Sequence, residues 1–170
     1  MKLKIREIAI FAMLGAIMFV SKVIMEGLPN IHLLGTLVIA YTITYRAKAL
    51  FPIYAYVFAN GLWEGFRPFD WLPETYIWLI LWGMTMLLPK KMPTRVAPIV
   101  YMLVSAVHGL LLDVFYVPAY LLFANIPWEH LRLTLLMGIP YVALQAAGNF
   151  ALGTLIVPIA TLLRKLDKKI

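Results

Sequence analysis

Carboxylates and aromatic rings interleave in GLWEGFRPFDWLPETYIW, residues 61–78, which holds three Trp, two Phe, three acids and an Arg, with Pro68 and Pro73 between them. Rings stack on flat ligands, and carboxylates accept charge-assisted hydrogen bonds. Trp63, Glu64, Asp70, Trp71, Glu74 and Trp78 therefore suit a flat, nitrogen-bearing small molecule, and Arg67 would serve a carboxylate instead. FANIPWEHLR, residues 123–132, adds Trp128, Glu129 and His130 in the same style. Two prolines would stiffen 61–78 and lower the entropy cost of closing it over a ligand, so the stretch reads as a gate. For any one ring the competing reading is an interfacial aromatic belt.

Polar residues inside otherwise apolar runs are costly and face a cavity or a partner. His108 and Asp113 are such residues. Five positions apart, they do not share a helical face, which argues against a metal or catalytic pair. Asp113 does share a face with Tyr116 and Tyr120. At the rise of a helix it lies about 27 Å along the axis from Arg95. Asp113 serves either a ligand or an ion pair with Arg132 or Lys22. Gln145 and Asn149, four apart on one face, either read donors and acceptors on a heterocycle or tie helices together. Lys22 and Glu26 are spaced as a helix-end ion pair, and Tyr41, Tyr45, Tyr54 and Tyr56 as interfacial anchors. The chain has no cysteine, no GxSxG, no HExxH and no phosphate-binding P-loop, so we expect neither an enzyme nor a metal or other cofactor.

The elements that carry these residues follow from composition. Of 170 residues, 63% are hydrophobic and 14% charged. That is more apolar surface than a soluble domain of this size can hide. We expect an all-α integral membrane bundle forming a single domain over 1–170. Its six transmembrane segments fall near 5–25, 31–45, 49–63, 72–88, 96–122 and 134–163, with Pro118, Pro140 and Pro158 at kinks or ends. Placing both termini in the cytoplasm puts Lys2, Lys4, Arg6, Arg46, Lys48, Lys90, Lys91, Arg95, Arg164, Lys165, Lys168 and Lys169 inside, twelve of fifteen basic residues. Glu26, Glu64, Asp70, Glu74 and Glu129 then fall outside with Lys22, Arg67 and Arg132. The net charge of +7 is thus an orientation signal facing anionic lipid, and nucleic acid is not an expected partner. The outer connections 22–32, 61–78 and 123–132 form a ringed, acidic mouth.

In the first segment Ala9, Ala12 and Ala16 lie on one stripe that Gly15 widens, a surface on which another helix can pack closely. With its AxxxA pair Ala12 and Ala16, its length, its six crossings and its basic tail, the chain resembles the substrate-binding S components of energy-coupling factor vitamin transporters. The resemblance implies that Ala9, Ala12, Gly15 and Ala16 dock a transmembrane coupling subunit driven by two cytoplasmic ATPases. It also implies a bacterial cell membrane, and a small water-soluble nutrient bound near the outer surface by helices four to six under a lid of outer loops. The excess of outer acids favours a neutral or cationic nitrogen heterocycle of thiamine, pyridoxine or deazapurine type. The rival readings are a ligand-free membrane scaffold of the cell-shape machinery and an intramembrane hydrolase built on His108 and Asp113.

Overall fold

The computed structural model describes residues 3–28 and 30–169 of the chain, so Lys2 and the side chains of Lys168 and Lys169 lie outside the described residues. Eight α-helices follow one another among them: α1 Ile5–Met25, α2 Leu34–Tyr45, α3 Leu50–Glu64, α4 Pro68–Leu87, α5 Ala97–Leu110, α6 Leu112–Leu122, α7 Trp128–Leu152 and α8 Ile156–Lys169. Among the described residues, three stretches are long and apolar enough to cross a membrane, Ile5–Met25, Ala97–Leu122 and Trp128–Asp167. Their outward faces carry Ile8, Met13, Ile17, Ile24, Leu103, Met137 and Ile139, an apolar exterior that suits lipid and not water. The chain is an all-helical membrane protein.

Helix α2 is the axis of the bundle. Nine consecutive residues, Leu34 to Thr42, are buried, because α1, α4, α5, α7 and α8 all pack on it. A helix apolar on every side belongs in the middle of a fold. Three of its hydroxyls turn to backbone: Thr42 Oγ1 donates to Val38 O (2.6 Å), Thr44 Oγ1 to Ala40 O (2.8 Å), and the Tyr41 hydroxyl to Leu14 O (3.2 Å). Tyr41 is therefore a pin between α1 and α2, not an interfacial anchor. Tyr56 is also fully buried, whereas Tyr54 is exposed and donates to Thr75 O (2.9 Å).

Glycines set the close approaches. Gly15 lies against α3, where an added Cβ would sit 2.7 Å from Ala55 Cβ and 3.0 Å from Pro52 O. Between α5 and α7, a Cβ on Gly109 would strike Asn149 Nδ2 at 2.6 Å. There Asn149 Nδ2 donates to Ser105 O (3.1 Å). Such a side-chain amide ties two helices together inside an apolar environment.

Of the three prolines expected at kinks or ends, only Pro158 falls at a helix end. Pro118 and Pro140 lie inside α6 and α7, and Pro158 is in the first turn of α8, where the missing N–H costs nothing. The breaks fall instead at Leu111, between α5 and α6, and at a 3-10 turn over Gly153–Leu155.

The two ends of the bundle differ in chemistry. At one end Lys48 pairs with Glu7, Arg46 Nη2 donates to Met86 O (3.3 Å), and Arg164 Nη2 donates to Ile43 O (2.7 Å). At the other, a lysine of α1 meets acids, an amide and rings of α3 and α4.

Candidate functional site

Most of 61–78 is helix. Gly65 ends α3 with a φ of 85°. Only glycine adopts that conformation without strain. Arg67 is extended, as a residue before proline must be, and Pro68 opens α4 with its φ already set. Only Gly65, Phe66 and Arg67 link the helices, so 61–78 is a rigid corner and not a loop gate. Trp71 fastens that corner: its Nε1 donates to Val57 O (2.9 Å) and its ring meets Phe66 edge-on at 5.0 Å. Both rings occupy the space that Gly61 leaves open.

Behind the corner lies a polar cluster. Glu64 accepts from Lys22 Nζ, and Asn60 Oδ1 accepts from the same ammonium (2.9 Å). Asn60 Nδ2 donates to Glu64 Oε2 (3.2 Å) and to Glu74 Oε2 (3.1 Å), while the Tyr56 hydroxyl donates to Glu74 Oε1 (3.3 Å). Tyr56, Asn60 and Glu64 recur every four residues on one face of α3, which turns the row toward Lys22 of α1 and Glu74 of α4. Tyr116, from α6, lies within electrostatic range of Glu74.

Rings close the inner side. Trp78 lies one turn after Glu74 on α4, edge-on to Tyr56 (6.2 Å) and tilted over His108 (5.9 Å). His108 is buried, shares a hydrogen bond with Ile77 O (3.0 Å) and packs on Phe115 (5.4 Å). Trp78 Nε1 is buried with no hydrogen-bond partner among the described residues. A buried donor without an acceptor costs about 1–3 kcal/mol, so such a group is a natural hand-hold for a ligand. Thr36 Oγ1 and Ser105 Oγ, on α2 and α5, are likewise buried without partners among the described residues.

Residues 30 and 31, ahead of α2, reach across toward α7: Asn30 Nδ2 donates to Tyr141 O (3.5 Å), and Ile31 packs where Gly148 lacks a side chain. His32 follows, near Lys22. Burial first, then that charge, holds its imidazole below the ordinary value of 6.5.

The structure brings together Glu64, Glu74, Trp78, His108 and Tyr116 of the residues the sequence nominates, and joins to them Lys22, Asn60 and Tyr56. It separates the others. Trp63 is 64% exposed and Trp128 72% exposed. Trp63 therefore takes the interfacial-belt reading, while Trp128 lines a cavity together with Asp113 and Arg132. Arg67 and Asp70 pair with each other on the surface (2.9 Å). Trp71 is a latch within the corner. Asp113 and Arg132 line a separate, mostly apolar cavity of about 470 Å³ between α6 and α7, and neither makes an ion pair among the described residues. Gly138 leaves the space that the Asp113 carboxylate fills. Gln145 is buried beside Gly109, and Asn149 is committed to its tie with Ser105.

Lys22 is a correction: it pairs with Glu64 from another helix, and Glu26 is exposed without an ion pair among the described residues. The sequence does carry a signal for Asn60, namely a polar row at four-residue spacing through an apolar helix. Of the proposed docking stripe, Ala9, Ala12 and Ala16 are exposed on α1, whereas Gly15 is buried against α3 and unavailable to a partner. His108 and Asp113 occupy different surroundings, and the described residues hold no group of three or more His, Asp or Glu able to bind a metal ion.

No protein-family model, no curated protein and no solved structure matches this chain.

Proposed function

We propose that the protein is the membrane-embedded substrate-binding subunit of an energy-coupling factor importer, capturing a small nitrogen heterocycle at the end of the bundle that holds Lys22, Asn60, Glu64 and Glu74. One observation carries the reading: an array of two carboxylates, one ammonium, an amide and a phenol, backed by Trp78 with its unpartnered indole N–H. A structural ion pair does not need five polar side chains from three helices under an aromatic wall. Two carboxylates against one ammonium leave the array short of positive charge, which favours a neutral or cationic ligand of thiamine, pyridoxine or deazapurine type over an anion. Trp78, Tyr56 and His108 would supply the stacking surface, and residues 30–33 the cover.

In this reading the chain crosses a bacterial plasma membrane six times, with both termini in the cytoplasm. The short helices α2 and α3 cross as parts of the bundle, sheltered by their neighbours. Uptake draws its energy from two ATPases through a coupling subunit, which meets the exposed alanines of α1. The test is uptake in cells that supply a coupling module: Ala12→Trp should abolish transport and leave ligand affinity intact. Loss of affinity together with transport would sink the docking role, and transport unaffected by the variant would do so as well.

A further inference from the structure

The opposite end of the bundle carries a second, oppositely charged feature that the transport reading does not use. Two adjoining cavities, of about 150 and 360 Å³, open among the ends of α2, α4, α5 and α8. Ile43, Lys90, Tyr101 and Arg164 line both. Arg46, Thr85, Leu88 and Pro89 complete the smaller, while Lys91, Thr94 and Thr161 help line the larger. Four cations thus converge with hydroxyl groups between them, and no Asp or Glu of the described residues lies in either wall. None of the four makes an ion pair among the described residues.

Two of the cations are held in place. Arg164 reaches Ile43 O and Arg46 reaches Met86 O through one nitrogen each. A guanidinium has five N–H donors, so both keep donors to spare. Arg46 adopts φ 55° and ψ -123°. That region is costly for any residue but glycine. The fold sustains it with a bond from Trp82 Nε1 to Arg46 O (3.2 Å). Helix α5 begins at this cavity, with Ala97 and Pro98 in its wall and no side chain capping its N-terminus, so its positive end adds to the field. The remaining wall is apolar: Met92, Val157 and Ala160 beside the cations.

We propose that this end of the bundle is a binding site for a phosphate anion, with the phosphodiester headgroup of an anionic lipid as the source that the mixed wall favours. Arginine forks and lysines suit phosphate oxygens, and basic recesses between membrane helices hold anionic headgroups. Met92, Val157 and Ala160 would meet the lipid's glycerol and first methylenes. The site does not depend on the nutrient-binding reading, because it shares no residue with that array.

The experiment is native mass spectrometry of the full chain released from nanodiscs made of equal phosphatidylglycerol and phosphatidylcholine. The wild type should retain phosphatidylglycerol in preference. Lys90→Gln with Lys91→Gln should weaken retention about 25-fold, or fivefold per cation at about 1 kcal/mol each. These two lysines are exposed and make no hydrogen bond or ion pair among the described residues, so the fold does not rest on them. Titration of inorganic phosphate into lipid-depleted protein distinguishes the source. Saturable phosphate binding that the double variant weakens, without lipid preference, would keep the phosphate site and assign it to a soluble ion. Equal retention of both lipids with no phosphate binding overturns the proposal, as does retention that the double variant leaves unchanged.

Discussion

Replacing Lys22 by Met probes the polar array at its one cation. The Lys22 side chain is 17% exposed and that of Glu64 32% exposed. The pair therefore falls between the surface regime, where an ion pair contributes up to about 1 kcal/mol, and the buried one, where breaking it costs about 3–5 kcal/mol. Lys22→Met also removes the bond to Asn60 Oδ1 and leaves Glu64 without its counter-ion. The intermediate exposure sets the expected loss at about 2 kcal/mol. In a chain of this size that lowers the melting temperature by about 4–8 °C. The assay is thermal unfolding in detergent, followed by Trp fluorescence. Glu26→Gln is the control, since a pairing of Lys22 with its own helix would make the two variants equivalent; Glu26→Gln should change stability by less than about 0.5 kcal/mol. Combining Lys22→Met with Glu64→Gln should cost less than the sum of the two single changes, with a coupling energy of about 1 kcal/mol. Strict additivity, or a Glu26 effect as large as that of Lys22, would refute the inter-helix array.

Other consequences follow from single contacts. On Gly15 an added Cβ meets Ala55 and backbone at once. Gly15→Leu should therefore force α1 from α3 and destabilise by about 3 kcal/mol, whereas Ala16→Leu should leave thermal stability unchanged. Trp71→Phe should keep the ring contact with Phe66 and lose the bond to Val57 O. That change should cost about 1 kcal/mol in the same unfolding assay. His32 is held below its ordinary value of 6.5, so the unfolded chain binds the extra proton first. Stability from this group is therefore fully present above pH 6.5 and declines as pH falls from 6.5 toward the lower folded value; His32→Gln should flatten that slope in melts from pH 7.5 to 5.

Helical class and the membrane environment are legible because they rest on bulk composition and on long apolar runs, and α1 falls where its run of apolar residues ends. The corner at Gly65–Arg67 is harder to see. Its glycine and proline are visible in the sequence, but rings and acids on either side read as a loop when they are in fact helical faces. Long-range pairing is the least legible. Lys22 has Glu26 four residues away and Glu64 forty-two away, and only the approach of α1 to α3 across Gly15 decides between them. Asn60 escapes notice because a lone amide in an apolar run carries no charge to count, although its four-residue spacing from Tyr56 and Glu64 does mark a face. Trp63 shows the reverse failure, since residue type cannot say which side of a helix looks at lipid.

Whether the array around Glu74 binds a small molecule is decided by identifying what co-purifies with the full chain and titrating it back while Trp fluorescence is read. A nitrogen heterocycle should be found, with saturable quenching, and Glu74→Ala should lose that binding at a temperature where the variant remains folded. A protein that carries no such molecule and shows no saturable response to thiamine-, pyridoxine- or deazapurine-type compounds would overturn the nutrient-binding role, as would binding that Glu74→Ala leaves unchanged.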